Sequence, residues 1–246
     1  MKYLLAAVAA LWTAVAVAGP NWTYAELGYT IGDNDTGNLA PYEQFPDTSY
    51  NDGTKYWNIN GMLEVGGLWH VGAFYQKGDY LQGNVEFDTP PFLSFGSELK
   101  GYGAIVGIHP ALTDATDLVF QIQYTRADIR ITCGDDFDDN FQDQIAIQAV
   151  PCVDNQKFDN DTYGLEAGVR SMINPDFEVN ASALLDKNDI RNYEVAAKIG
   201  GQFLFTERFG LTATGKLGES QTEFNVGLRY NFFGTNADQV SFNGTR

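Results

Sequence analysis

The chain of 246 residues has two histidines, two cysteines, and only 15 Lys and Arg against 32 Asp and Glu, for a formal charge of −17. That scarcity of cations excludes nucleic-acid binding, which relies on clustered Lys and Arg, and a polybasic role at a membrane surface. No GxSxG, HExxH or phosphate-cradling glycine loop occurs, so the familiar signatures of hydrolases and nucleotide enzymes are missing. Past residue 18 no run approaches the ~18 apolar residues a membrane helix needs. If this protein crosses a membrane, it must do so with strands.

What is present begins with an export pattern. Lys2 precedes an apolar run that ends in Ala16-Val17-Ala18 before Gly19-Pro20, the arrangement of a cleaved secretory signal. Its removal takes away one positive charge, Lys2, and makes the mature chain still more acidic. Aromatics make up 14% and glycine is abundant at 26 residues, a composition suited to strands with one apolar face and one polar or small face.

The clearest such strand lies near the end, Thr222 to Phe233. Phe224, Val226, Leu228, Tyr230 and Phe232 fall on one side, and Glu223, Asn225, Gly227, Arg229 and Asn231 on the other. The alternation recurs about ten times from Asn21 onward. Short turns such as Gly66-Gly67 and Asn174-Pro175-Asp176 alternate with long polar loops: Gly32 to Thr54, Gly78 to Ser97 and Thr132 to Asp161. In the strand from Leu118 the apolar phase shifts at Ala127, Ile129 and Ile131, which predicts a bulge or emergence from the bilayer. Trp22, Trp57 and Trp69 near strand ends fit aromatic girdles. The expected fold is all-β: a transmembrane antiparallel up-and-down β-barrel of ten strands, or eight if one hairpin projects outward. It would span 19–233, between a signal peptide at 1–18 and a polar tail at 234–246.

Asn225, Gly227, Tyr230 and Phe232 match the polar-x-Gly-x-x-aromatic-x-aromatic pattern that ends outer-membrane proteins. Tyr163 to Ala183 resembles the central hairpin of small bacterial barrels of the OmpA-like, opacity-type family. The resemblance implies the outer membrane of a Gram-negative bacterium, recognition of the terminal strand by the barrel-assembly machinery, and contact with outer-membrane lipid and lipopolysaccharide. Family members usually stop at the terminal aromatic, whereas this chain continues from Gly234 to Arg246.

The candidate site residues follow from the strand phase. Glu26, Glu64, Glu166, Glu178 and Glu194 are expected in the lumen with Arg170, Lys198, Lys216 and Arg229, a near balance suited to mutually paired charges that plug it. A narrow pore is the alternative, suggested by inward glycines at 101, 103, 107, 164 and 168. Cys133 and Cys152, in one loop of an exported chain, are expected to form a disulfide worth on the order of 3 kcal/mol in the chain-entropy view.

No cofactor or metal is expected. No histidine lies near the cysteines, and neither the acidic run Asp135, Asp136, Asp138, Asp139 nor Asp33 to Gly37 completes a calcium-loop pattern. His70 and His109 fall near the short turns and read as packing residues, so a barrel enzyme is the weakest reading. Contact with an extracellular ligand would fall to loop aromatics: Tyr42, Phe45, Tyr50, Phe92, Phe95, Phe137 and Phe141. The expected function is a monomeric barrel with a structural or surface-recognition role.

Overall fold

The computed structural model describes residues 19–34, 48–51, 53–85, 93–133, 157–188, 193–219 and 221–232. Twelve strand segments occur among them: β1 (Tyr24–Asn34), β2 (Thr48–Asn51), β3 (Gly53–Val65), β4 (Trp69–Val85), β5 (Leu93–Ile108), β6 (Ala111–Thr113), β7 (Thr116–Cys133), β8 (Lys157–Asn174), β9 (Phe177–Asn188), β10 (Glu194–Leu204), β11 (Phe209–Gly218) and β12 (Gln221–Asn231). All but β2 and β6 form one closed antiparallel barrel, β1-β3-β4-β5-β7-β8-β9-β10-β11-β12, in which the last strand pairs with the first. The barrel therefore has ten strands. Closure matters because an unpaired backbone edge in hydrocarbon costs several kcal/mol per group.

The outward face is apolar. Leu27, Ile59, Leu63, Ile122, Leu165, Ile199 and Leu217 all stand about half exposed, which in water would be a large uncompensated apolar surface. Tyr29, Trp57, Tyr75, Tyr102, Tyr163 and Tyr193 ring this belt toward the long connections, which we call the loop end. Trp69, Phe177, Phe203, Phe205, Phe209 and Phe232 ring it toward the short turns, the turn end. Tyr193 to Phe205, at ~3.4 Å per residue and a ~40° tilt, spans roughly 30 Å, the thickness of a bilayer's hydrocarbon core. The barrel is of the membrane-spanning kind.

Several strands run farther toward the loop end than their apolar alternation does. β4 reaches Val85, β5 begins at Leu93, β8 begins at Lys157 and β9 reaches Asn188, so parts of the expected loops are paired strand. Tyr50 and Phe95, expected in loops, lie in β2 and β5. There is no bulge at the phase shift in β7. Its register with β5 runs unbroken from Phe120 to Cys133, and the outward positions simply become charged at Arg126 and Asp128 once the strand leaves the belt. At the opposite end Gly66 and Gly67 take φ of 66° and 73°, the left-handed conformation that lets β3 turn tightly into β4.

Candidate functional site

The lumen gathers the polar side of every strand, and a cluster around Trp22, which we call the plug, occupies its turn end. Trp22, read with the girdle in the sequence, instead lies inside the barrel, 4% exposed. Thr23 anchors this segment, its carbonyl accepting from Phe232 N–H at 3.0 Å and its hydroxyl from Glu64 N–H at 3.1 Å. The indole Nε1 donates to Asp117 Oδ2 at 2.7 Å. The rings of His70 and His109 each stack on it with centroids 4.5 Å away. The two imidazoles are only 5.3 Å apart, so both occupy one face of the indole; on opposite faces they would stand twice 4.5 Å apart.

The Arg170 guanidinium sits 4.6 Å from the Trp22 ring centroid, a cation–π contact. Nδ1 of His70 and Nδ1 of His109 lie 3.1 Å apart, and Nε2 of His70 is 3.1 Å from Gln121 Oε1. His109 stands just past the end of β5. Burial, with His70 and Arg170 beside it, lowers its imidazole from the usual 6.5 to about 4, so it is neutral at pH 7.

Above the plug the predicted lumen residues meet as pairs. Arg170 forks onto Glu178 with Nε and Nη2 donating at 2.6 and 2.8 Å. Arg229 Nε donates to Glu26 at 2.7 Å and its Nη1 lies 3.9 Å from Glu178, while its guanidinium is 3.9 Å from the Tyr24 ring centroid. Lys198 reaches both oxygens of Glu166 at 3.1 Å, and Ser182 and Gln121 donate to the same carboxylate. Lys216 bonds Asp186 at 3.1 Å. Glu194 is buried at the loop end of β10, and Glu64 lies on the turn-end rim of β3.

The sequence reading missed Asp186, Glu223, Tyr56 and Asp117. Tyr56 donates to Glu223 at 2.9 Å. Glu223 shares the polar face of its strand with Arg229 but is not among the expected lumen charges, although parity places it inside. Asp186 lies near the loop end of β9, one residue past Leu185, where the apolar alternation stops.

A cavity of about 320 Å³ remains above the plug, from Trp22, Met62 and Val119 up to Tyr56, Lys216 and Glu223. That is at the low end of the ~300–1,000 Å³ typical of small-ligand sites. Two of the inward glycines make room for neighbouring side chains. A Cβ at Gly103 would run into the Phe74 ring and the Tyr124 carbonyl, and one at Gly107 would lie 2.5 Å from His70 Nε2. Their missing side chains let Phe74 and His70 lie across the lumen and fill it.

Of the terminal-strand residues, Asn225 points inward and donates to Thr30 at 2.8 Å, and Gly227 packs beside Glu26. Tyr230 and Phe232 face outward with ring centroids 5.3 Å apart. Cys152, the run Asp135 to Asp139, and Tyr42, Phe45, Phe92, Phe137 and Phe141 lie outside the described residues, as do 1–18 and 233–246. Among the described residues no group of three or more His, Cys, Asp or Glu is arranged to hold a metal ion.

Fold and lumen together define a small barrel that spans a membrane on strands and fills its interior with paired charge. No protein-family model matches the chain, and no curated protein matches it in sequence. Among solved structures it is similar to the translocator domain of the autotransporter NalP from Neisseria meningitidis, at 12% identity over 94% of each chain with a TM-score of 0.52. It also aligns with the transport unit of the autotransporter AIDA-I from Escherichia coli, at 8% identity over 87% of this chain and 91% of that one with a TM-score of 0.46. The attachment invasion locus protein Ail of Yersinia pestis aligns at 10% identity over 85% and 99%, with a TM-score of 0.36. The first likeness is one of fold. The other two are too loose to bear on function, and the opacity-type resemblance of Tyr163 to Ala183 stays one of pattern.

Proposed function

We propose that this chain is a monomeric outer-membrane barrel of a Gram-negative bacterium, with the loop end outside the cell and the turn end in the periplasm. Its role is structural or one of surface recognition, carried by the long acidic and aromatic extracellular connections. The observation that carries this reading is the plug at the turn end. Trp22 lies beneath the ion pairs, held by Asp117, His70, His109 and Arg170, an arrangement that supports a plugged lumen. The export signal at 1–18 and the terminal-strand pattern at Asn225, Gly227, Tyr230 and Phe232 support delivery to the assembly machinery. No catalytic role is proposed: the chain's two histidines are buried in the plug, each stacked on Trp22.

A narrow solute channel is the second reading, favoured by the 320 Å³ cavity above the plug. Planar-bilayer recording separates the two. The refolded, heat-modifiable barrel is expected to be electrically silent, and Trp22→Ala to admit brief conductance by emptying the plug. Steady conductance from the wild-type barrel, altered by Glu166→Gln or Lys198→Gln, would replace the plugged reading with the channel.

A further inference from the structure

Four adjacent strands repeat one outward motif at the loop end: an aromatic of the belt, then a cation at the next outward position away from the bilayer. The pairs are Trp57 and Lys55 on β3, Tyr75 and Lys77 on β4, Tyr102 and Lys100 on β5, and Tyr124 and Arg126 on β7. Register sets these strands side by side, with Trp57 opposite Lys77, Lys77 opposite Lys100, and Tyr102 opposite Arg126. Arg130 and Lys157 face each other two steps farther out, beyond Asp128.

The rest of the wall carries mainly acids there, although Lys187, beyond Leu185 on β9, lies 5.9 Å from the Tyr193 ring centroid. Beyond its outermost belt residue β1 carries Asp33, β8 carries Asp161 and β11 is followed by Glu219. In a chain of net charge −17 with only 15 cations, this clustering on one sector just above the bilayer is the departure that calls for a partner.

We propose that this sector binds the phosphorylated headgroup of an outer-leaflet glycolipid, the lipopolysaccharide of the membrane named above; the inference rests on that reading and gives it a specific lipid site. Aromatics of the belt lie at the headgroup level. One outward step along a strand adds ~7 Å, which puts the cations where headgroup phosphates stand.

Acidic side chains are interleaved, and they position the cations. Glu98 lies 3.0 Å from Lys77 and 3.4 Å from Lys100, so two ammonium groups share one carboxylate and the trio stays net positive. Arg126 lies 2.6 Å from Asp159 and 3.8 Å from Asp128. These side chains are 30% to 57% exposed, so an approaching phosphate meets them without displacing packed structure.

The test titrates fluorescently labelled lipopolysaccharide, and the same material stripped of phosphate, into the full refolded chain in zwitterionic micelles. The protein is expected to bind the phosphorylated form more tightly, and less so as salt rises. Replacing Lys77, Lys100 and Arg126 together by Gln should weaken binding about a hundredfold, at roughly fivefold per cation. Glu98→Gln, which frees two lysines, should strengthen it by about fivefold, and Arg208→Gln at the turn end should change nothing.

Equal affinity of the triple variant and the wild type overturns the site, as does equal affinity for stripped lipid, or no binding at all. Binding that survives the triple change but vanishes with a chelator would assign the phosphates to the interleaved acids through divalent ions, which also overturns it. A chain that forms no heat-modifiable barrel overturns the outer-membrane reading itself.

Discussion

On β3, β4, β5 and β7 the inward positions along mid-barrel carry Met62, Phe74, Ile105 and Val119, and the outward positions above the belt carry Lys77, Lys100 and Arg126. On β8 to β12 and β1 it is the interior that is charged. Arg170, Glu178, Lys198, Arg229 and Glu26 point inward, while Leu165, Val195, Ile199, Leu211 and Leu27 point outward. One half is uncharged along mid-barrel inside and carries cations at its outer rim, the other is charged inside and carries mainly acids at its rim, and the belt between is apolar on both. An interior ion stays only if it is paired and hydrogen-bonded, and the charged half is arranged to do that. The apolar half gives the Trp22 plug a surface to lie on, and Arg170 reaches across from the charged half to cap it. The two halves meet at the plug.

The strongest way to break this division is to strand a charge. Arg170→Ala would leave Glu178, 2% exposed, without its forked partner and should destabilise the folded barrel by ~3–5 kcal/mol in urea unfolding from vesicles. Arg170→Met with Glu178→Leu should recover most of that loss, because the pair's mutual attraction does little more than offset its desolvation. In the apolar half Met62→Ala should cost less, ~2 kcal/mol, since the cavity already borders it. A double variant no more stable than Arg170→Ala would show that the charged half depends on these ions for more than pairing.

Gly103→Ala probes the apolar half from the opposite direction. The added methyl must displace the Phe74 ring or the β7 backbone, and overpacking of this kind costs ~1–3 kcal/mol. If glycine were instead keeping a channel open, the same change would leave stability near wild type and would matter only to conductance.

Much of the barrel was legible from strand period alone, because lipid and lumen impose opposite demands on successive residues. The inward set Glu26, Glu166, Arg170, Glu178, Lys198, Lys216 and Arg229 comes from that period. Trp22 was legible too. It has the parity of Tyr24 and Glu26, but a tryptophan near a strand end resembles a girdle residue when judged by type. The His70 and His109 contact was not legible, since it depends on the β4–β5 register that sets His70 beside Gly107. Nor were the upper parts of β4, β5, β8 and β9. Above the bilayer the outward positions turn polar, the alternation disappears, and a paired strand reads as loop.

Lowering the pH tests the seam. A buried imidazole whose value is pulled from 6.5 to about 4 is neutral in the folded and unfolded chain above pH 6.5, and its burial then carries no ionisation penalty. Between 6.5 and 4 the unfolded chain takes up a proton that the folded one refuses, so stability falls as pH falls, and it levels off below 4. His70, Arg170, Asp117 and Glu178 surround the plug, and the cations among them raise the cost of a further positive charge. Urea midpoints should therefore decline over that window, and His109→Gln should flatten part of the slope. An unchanged slope in His109→Gln would assign the acid sensitivity to the carboxylates.

The smallest effect belongs to the outer rim. Lys77→Gln removes an ammonium that is 42% exposed and 3.0 Å from Glu98, a geometry in which water screens the attraction and ordering two flexible side chains offsets much of it. Unfolding in phosphate-free micelles should be nearly unchanged. The contrast with Arg170 is one of surroundings, since both are cations beside a glutamate at similar distance. A larger loss from Lys77→Gln in those micelles would mean that the cations above the belt hold the barrel together on their own account. A small loss that grows when lipopolysaccharide is added would place their contribution in the headgroup layer.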